Sequence, residues 1–273
     1  MSSEQYSTNH RRGVTGVFGD LHRGLAQGQV WRHFAWDEIQ NRYRRSALGI
    51  AWIGLSHVFF VVVIVIFFRG LSQADPVSFT RHVAIGFATF TFLVANISDG
   101  CDVFRNATTW IKSTPLPYSV YIYKSICRSI FTFAIHIALS FIIILLMGWR
   151  PAPGALWAIP ALVVFLINAV SFQLLFGLFA TRYRDISHLV STVTRLLFFA
   201  TPILWTFDQR SGLIKTVAKF NPMTHFIEIF RAPLMGTPMI EESWMIVIGV
   251  TIFGWVAAVT AGAFMLRRLP YWL

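Results

Sequence analysis

Acidic residues are scarce in this chain: twelve Asp and Glu occur in 273 positions, and none lies inside six apolar runs of roughly bilayer length. Carboxylates within spans are a usual means of drawing on an ion gradient. Their absence sets that mechanism aside, so a protein moving something through a bilayer would take its energy from another polypeptide. Other absences narrow the field. There is no GxxxxGK[ST] sequence and no Gly-Lys pair, so the loop that cradles nucleotide phosphates is missing and no ATPase activity is expected. HExxH and CxxC are missing too, and Cys101 and Cys127 are too few for a disulfide framework and have no metal-ligand spacing. The segments between apolar runs are too short for a separate soluble catalytic domain. The first 47 residues hold no early apolar run, so no cleavable signal is expected.

What is present is apolar. Hydrophobic residues make up 55% of the chain and charged ones 13%, about half the charge of a soluble domain. One all-α integral membrane domain is expected. The runs at 48–68, 82–98, 126–147, 156–180, 188–205 and 243–266 predict six transmembrane helices. The first would rise ~31 Å at ~1.5 Å per residue, about one hydrocarbon thickness. The net charge of +11 could suggest nucleic acid, but Lys and Arg gather at cytoplasmic membrane edges, and no nucleic-acid partner is expected. With both termini inside, the inner segments hold fourteen basic residues and the outer segments seven, namely Arg69, Arg81, Arg150, Arg210, Lys215, Lys219 and Arg231. That bias predicts cytoplasmic termini.

Three segments outside the spans carry pattern. Residues 1–24 read as a loose cytoplasmic tail. In 30–43, Val30, Trp31, Phe34, Ala35, Ile39 and Tyr43 recur at helical spacing with charges between them, which predicts an amphipathic helix with aromatic anchors in the membrane interface. Residues 99–118 alternate polar and apolar and end in Pro115-Leu116-Pro117, suiting a short helix on the cytoplasmic surface. The outer connection 206–242 is too long for a link, and its periodic piece at 224–231 suggests short helices dipping into the outer leaflet.

Ionisable groups within spans are costly and therefore candidates for function. Arg128 and Arg195 lie a turn or two inside inner span ends, where they would either snorkel to headgroups or meet an anionic lipid. His57 and His136 sit deeper and read as interhelical hydrogen-bonding groups rather than proton carriers. Aromatics reach 16%. Trp52, Ser56, Phe59 and Val63 form one stripe of the first span, and Phe198 and Phe199 mark the fifth; such faces suit either lipid packing or the CH-rich faces of sugar rings. Asp99 and Asp102 near Arg105 form the one compact inner acidic set, read as a docking surface rather than a lipid-enzyme centre.

Specific motifs resemble a known family. Arg42-Tyr43-Arg44-Arg45-Ser46-Ala47-Leu48-Gly49-Ile50-Ala51-Trp52, then Arg182-Tyr183-Arg184-Asp185-Ile186 with Thr201-Pro202-Ile203-Leu204-Trp205, then Asn221-Pro222-Met223-Thr224 leading to Phe230-Arg231-Ala232-Pro233-Leu234-Met235-Gly236 resemble, in order, ABC-2 type permeases that export polysaccharides. The resemblance covers about 25–273. It implies a six-span half-transporter in a bacterial cytoplasmic membrane that homodimerises and binds two copies of a separate ATPase. ATP and Mg would sit on that partner, with no cofactor on this chain. The cargo would be a lipid-linked glycan such as O-antigen, capsule or teichoic acid.

The family's interface helix falls on 30–43, its coupling helix on about 99–112 and its outer gate on 213–236. The resemblance therefore implies ATPase coupling through Asp99, Asp102, Arg105, Trp110 and Lys112, and an outer gate with Asn221, Pro222, Phe230 and Arg231. Trp52, Ser56, Phe59, Phe198 and Phe199 are the expected channel lining. Arg42, Arg44 and Arg45, with Arg128, are the expected handles for an anionic diphosphate linker. An ABC-2 exporter of another cargo and a membrane enzyme acting on lipids are the alternatives.

Overall fold

The computed structural model describes residues 13–68, 70, 75–150, 153–207 and 211–273. Residues 1–12 and the charge-count residues Arg11, Arg12, Arg69 and Arg210 lie outside them. Among the described residues there are helices and turns and no strand. Five helices are long and apolar enough to cross a membrane: α3 (Ala51–Phe68), α4 (Pro76–Asp102), α6 (Ser119–Leu146), α7 (Ala158–Arg182) with its leading 3-10 turn, and α11 (Ser243–Met265). The expected fifth span is helical only over α8 (Asp185–Ala200), whose 16 residues rise ~24 Å. Pro202 supplies no N–H to extend it, so the apolar run turns instead and buries Ile203, Leu204 and Trp205.

The bundle is built around α4. Two thirds of its membrane-length window is buried, against 28% for α3 and α6. Asp75 starts it by accepting hydrogen bonds from Val77 N (3.1 Å) and Ser78 N (3.2 Å), with Pro76 in the first turn, a combination that satisfies orphan amides and presets φ. Helices α6 and α7 flank α4, and α11 lies against α7. At the α4–α7 crossing a Cβ on Gly100 would stand 2.9 Å from Gln173 Cα, and one on Gly177 would stand 3.0 Å from Gly100 O. Only glycine permits that approach, the means by which helices gain contact where hydrocarbon gives no hydrophobic drive. Helices α3 and α8 rest on the remaining sides of α4, joined by the Phe60–Phe198 ring contact at 5.9 Å. At the end expected to be outer, α9 (Gly212–Phe220) and α10 (Pro222–Met235) form a helical pair, with α10 deep against α4, α7 and α11.

The opposite end, expected to be inner, carries α1 (Val14–Ala26), α2 (Gly28–Tyr43) and α5 (Thr108–Ser113), while α12 (Leu269–Trp272) follows α11. The loose tail expected for 1–24 is corrected from Val14 onward. Three glycines make α1 a poor helix former by propensity, at about 1 kcal/mol each, but docking overrides that. Val17 and Leu21 join a buried cluster with Ala258, Ala261 and Leu269, and Phe18 stacks on Trp255. Asp20 is buried and accepts from Tyr118 N (3.1 Å) and Ser119 N (2.8 Å), capping α6 from another helix. Ser119 Oγ returns a bond to Asp20 O at 2.7 Å. Helix α2 covers the expected 30–43, and its apolar stripe lies on protein: Trp31 meets Tyr123 at 6.2 Å and Phe34 meets Trp110 at 5.1 Å.

Asp20→Ala leaves two amides at the start of α6 without their acceptor. Stability should fall by about 2 kcal/mol, read as a lower melting temperature of the purified chain in detergent; an unchanged melt would show that the cap contributes nothing.

Candidate functional site

Three places gather polar or exposed aromatic groups, one at each end of α4 and one along its side. At the inner end, Arg128 on α6 donates from Nη2 to Asp99 Oδ2 of α4 at 2.7 Å and from Nη1 to Glu38 of α2. Lys124 reaches the other Glu38 oxygen at 2.8 Å, and Arg42 stands 3.8 Å from Glu38. The expectation of Arg128 as a lipid handle is therefore corrected: both terminal nitrogens face carboxylates, and its side chain is only 12% exposed. Such forked charge-assisted bonds are the strong class of side-chain contact. Arg42, Arg44 and Arg45 do stand together at the α2–α3 junction with exposed side chains.

The short 3-10 turn Arg105–Ala107 then leads into α5. Arg105 pairs with Asp102 and donates to Ser187 Oγ at 2.7 Å, tying this turn to the start of α8. Trp110 and Lys112 are exposed on α5. Between α2, α5 and α6 runs an open cleft of about 810 Å³, bordered by Phe34, Asp37, Arg42, Trp110 and Lys124. Asp99, Asp102, Arg105, Trp110 and Lys112 thus lie near one another around the inner end of α4. Sequence reasoning passed over Glu38, which reads as one more charge between apolar positions. Its four-residue spacing to Arg42 is the signal available, and that spacing says nothing of α6.

Along the side of α4, α3 and α8 expose Trp52, Phe59 (68%) and Phe199 (66%). Ser56 lies on the same face of α3 and donates its hydroxyl to Trp52 O at 2.8 Å. Phe198 departs from the expected lining. It is half-buried within 5.4–6.2 Å of Phe60, Phe87 and Phe90, holding α8 to α3 and α4. Deeper, Ser140 Oγ donates to Ala84 O at 3.0 Å and lies 2.9 Å from His57 Nε2. A hydroxyl has one proton, so His57 donates from Nε2. His136 stacks on the same ring at 4.5 Å. Both histidines act as interhelical contacts.

At the outer end Asn221 starts α10, accepting from Met223 N at 3.0 Å while its Nδ2 donates to Thr201 Oγ1 at 2.8 Å. Pro222 follows, exposed, at the first helical position. Phe230 and Arg231 both face inward. Phe230 packs on Phe165 (5.8 Å) and Phe133 (6.1 Å). Arg231, whose side chain is 5% exposed, donates from Nη2 to Glu228 Oε2 at 2.9 Å and from Nη1 to Pro202 O at 2.8 Å. His82 Nε2 of α4 lies 3.0 Å from Pro202 O and 3.1 Å from Trp205 O. A Cβ on Gly86 would reach within 3.1 Å of Arg231 Nη1, so the missing side chain makes room for the guanidinium. Outside this core Lys219 pairs with Glu242 at 2.9 Å and holds that carboxyl below its ordinary pKa.

Replacing Arg231 by Met strands the Glu228 carboxylate and should cost about 3–5 kcal/mol. The double change Arg231→Met with Glu228→Gln should recover part of it, measured by thermal melting in detergent.

Comparison with known proteins gives a consistent picture. A family model described as ABC-2 type transporter matches residues 29–235. A protein named O-antigen export system permease protein RfbA, from Klebsiella pneumoniae, is 20% identical over 235 residues, covering 86% of this chain and 89% of its own. A protein of the same name from Myxococcus xanthus is 22% identical over 217 residues, covering 77% and 80%.

Proposed function

Because the chain belongs to the ABC-2 type transporter family, we propose that it is the permease of an exporter that carries a lipid-linked polysaccharide across a bacterial cytoplasmic membrane. Two copies would form the path, and two copies of a separate ATPase would bind on the inner side, holding the ATP and Mg that this chain has no loop to bind. In this reading α8 serves as a short fifth span among six, and both termini are cytoplasmic, as the basic-residue bias favours.

The observation that carries the reading is the pairing of exposed aromatic strips on α3 and α8 beside a buried α4. Trp52, Phe59 and Phe199 sit exposed on two helices that rest on the flank of α4, a natural place for a second copy and a passage between copies. Flat aromatic faces grip sugar rings without fixing one hydrogen-bond pattern, which suits a repeating polymer. The names borne by the relatives support O-antigen as the cargo class. At the inner side, ATPase closure would push on α2 and α5, with Trp110 and Lys112 as exposed contacts beside the cleft. The Arg42, Arg44 and Arg45 cluster would hold the diphosphate of the lipid carrier. At the outer side α9 and α10 would form the gate.

Two measurements test this. Changing Arg42, Arg44 and Arg45 together to Gln removes about 1 kcal/mol of anionic-lipid attraction per residue. Export of the glycan should fall by about tenfold or more, while membrane insertion and co-purification of the ATPase persist; normal export would sink the assignment. Trp110→Ala should weaken co-purification of the ATPase, and a partner retained in full would place the contact elsewhere.

A further inference from the structure

We propose that Arg128 is a positioning residue that clamps α2 to α4 and α6, so that a push on α2 reaches the spans as a shared displacement. This rests on the reading of the chain as a permease driven from its inner side. The geometry is specific. One guanidinium joins carboxylates from two different helices, Asp99 at the inner end of α4 and Glu38 in the middle of α2. Lys124, one turn earlier on α6, holds the second oxygen of Glu38 at 2.8 Å. Two carboxylates thus hold Arg128 and Lys124 at the meeting point of three helices, with the more exposed Arg42 at the rim 3.8 Å from Glu38.

The remaining contacts of α2 with α6 are of another kind. Ala35 and Ile39 are buried apolar groups, and Trp31 and Trp36 meet Tyr123 and Phe131 through ring contacts at 6.2 and 5.7 Å. Apolar and aromatic contacts tolerate sliding, because they are short-ranged and weakly directional. A planar fork holding two fixed carboxylates does not. Lys124 ties α2 to α6 alone, whereas Arg128 ties α2 to α4 as well, and α4 carries that register onward, since it is the most buried of the five membrane-length helices. Interhelical coupling of this sort requires a demonstrated effect on function and not adjacency alone, and the chemistry makes such a demonstration accessible.

The test uses the whole exporter, this chain with its ATPase in proteoliposomes. Arg128→Gln is expected to leave ATP turnover within about twofold while the glycan exported per ATP falls by tenfold or more. A residue with a merely structural role would lower both together along with the amount of folded protein. In a chain with Cys101→Ala and Cys127→Ala, Glu38→Cys and Arg128→Cys joined by a short bismaleimide should recover export per ATP. Unchanged coupling in Arg128→Gln, a parallel fall of both activities, or a tether that restores nothing would each overturn the proposal. A cargo-free arm separates it from the function on which it rests. Spin labels at Gln40→Cys on α2 and Ile130→Cys on α6 should show one narrow distance that broadens on Arg128→Gln, and an unbroadened distance overturns the clamp. If the unaltered chain exports no glycan with any ATPase, the permease reading fails, and the label distance still decides whether Arg128 fastens α2.

Discussion

Every polar group placed in hydrocarbon must find its partner inside the protein, and this one constraint organises the bundle. The apolar faces of the spans are interchangeable, since lipid tails are as apolar as Leu and favour no particular neighbour. The few polar side chains are not interchangeable. Gln173 donates to Asn96 and links α7 to α4; Asn168 donates to Thr251 and links α7 to α11. His57 and Ser140 join α3 to α6, and the Ser140 hydroxyl continues to the backbone of α4. Each pair connects a different set of helices, so together they specify one arrangement where packing alone would permit several.

Charged groups obey the same rule more strictly and mark the two ends of α4. At one end Asp99 meets Arg128; at the other the His82 ring approaches the Pro202 carbonyl that receives Arg231. Both arginine side chains are largely buried. The contrast with α3 and α8 is physical. Those helices carry almost no interhelical polar bonds at their outward faces and present aromatic rings instead. A rigid, internally satisfied centre and two sparsely bonded flanks is the arrangement expected where flanking helices change neighbours and the centre does not.

Much of this was legible in residue order. Apolar length located α3, α4, α6, α7 and α11, and the periodic piece at 224–231 lies within α10. Hydropathy nonetheless cut α4 and α6 short at their inner ends, because Asp99 and Lys124 read as water-facing charges when they are paired with one another's neighbours. It ran the fifth span past Pro202, since Ile203, Leu204 and Trp205 are apolar whether helical or turned. Helix α1 was illegible for a different reason: its glycines lower its propensity, and what orders it is Asp20 meeting Tyr118 and Ser119 nearly a hundred residues away. Arg128 meets carboxylates on α2 and α4, about which spacing along α6 carries no information. The resemblance puts Phe230 and Arg231 in the outer gate, and their spacing likewise carries no sign that both side chains are buried.

The docking of α1 bears on the order in which the molecule is made. Its resting place is built from the start of α6 and from Trp255, Ala258 and Ala261 of α11. A ribosome delivers α1 before either of them, so its resting place is complete only once the last long span has entered the bilayer. Its ordering is therefore a late event, and a protease that cuts within α1 would distinguish chains whose insertion is complete from those still being assembled.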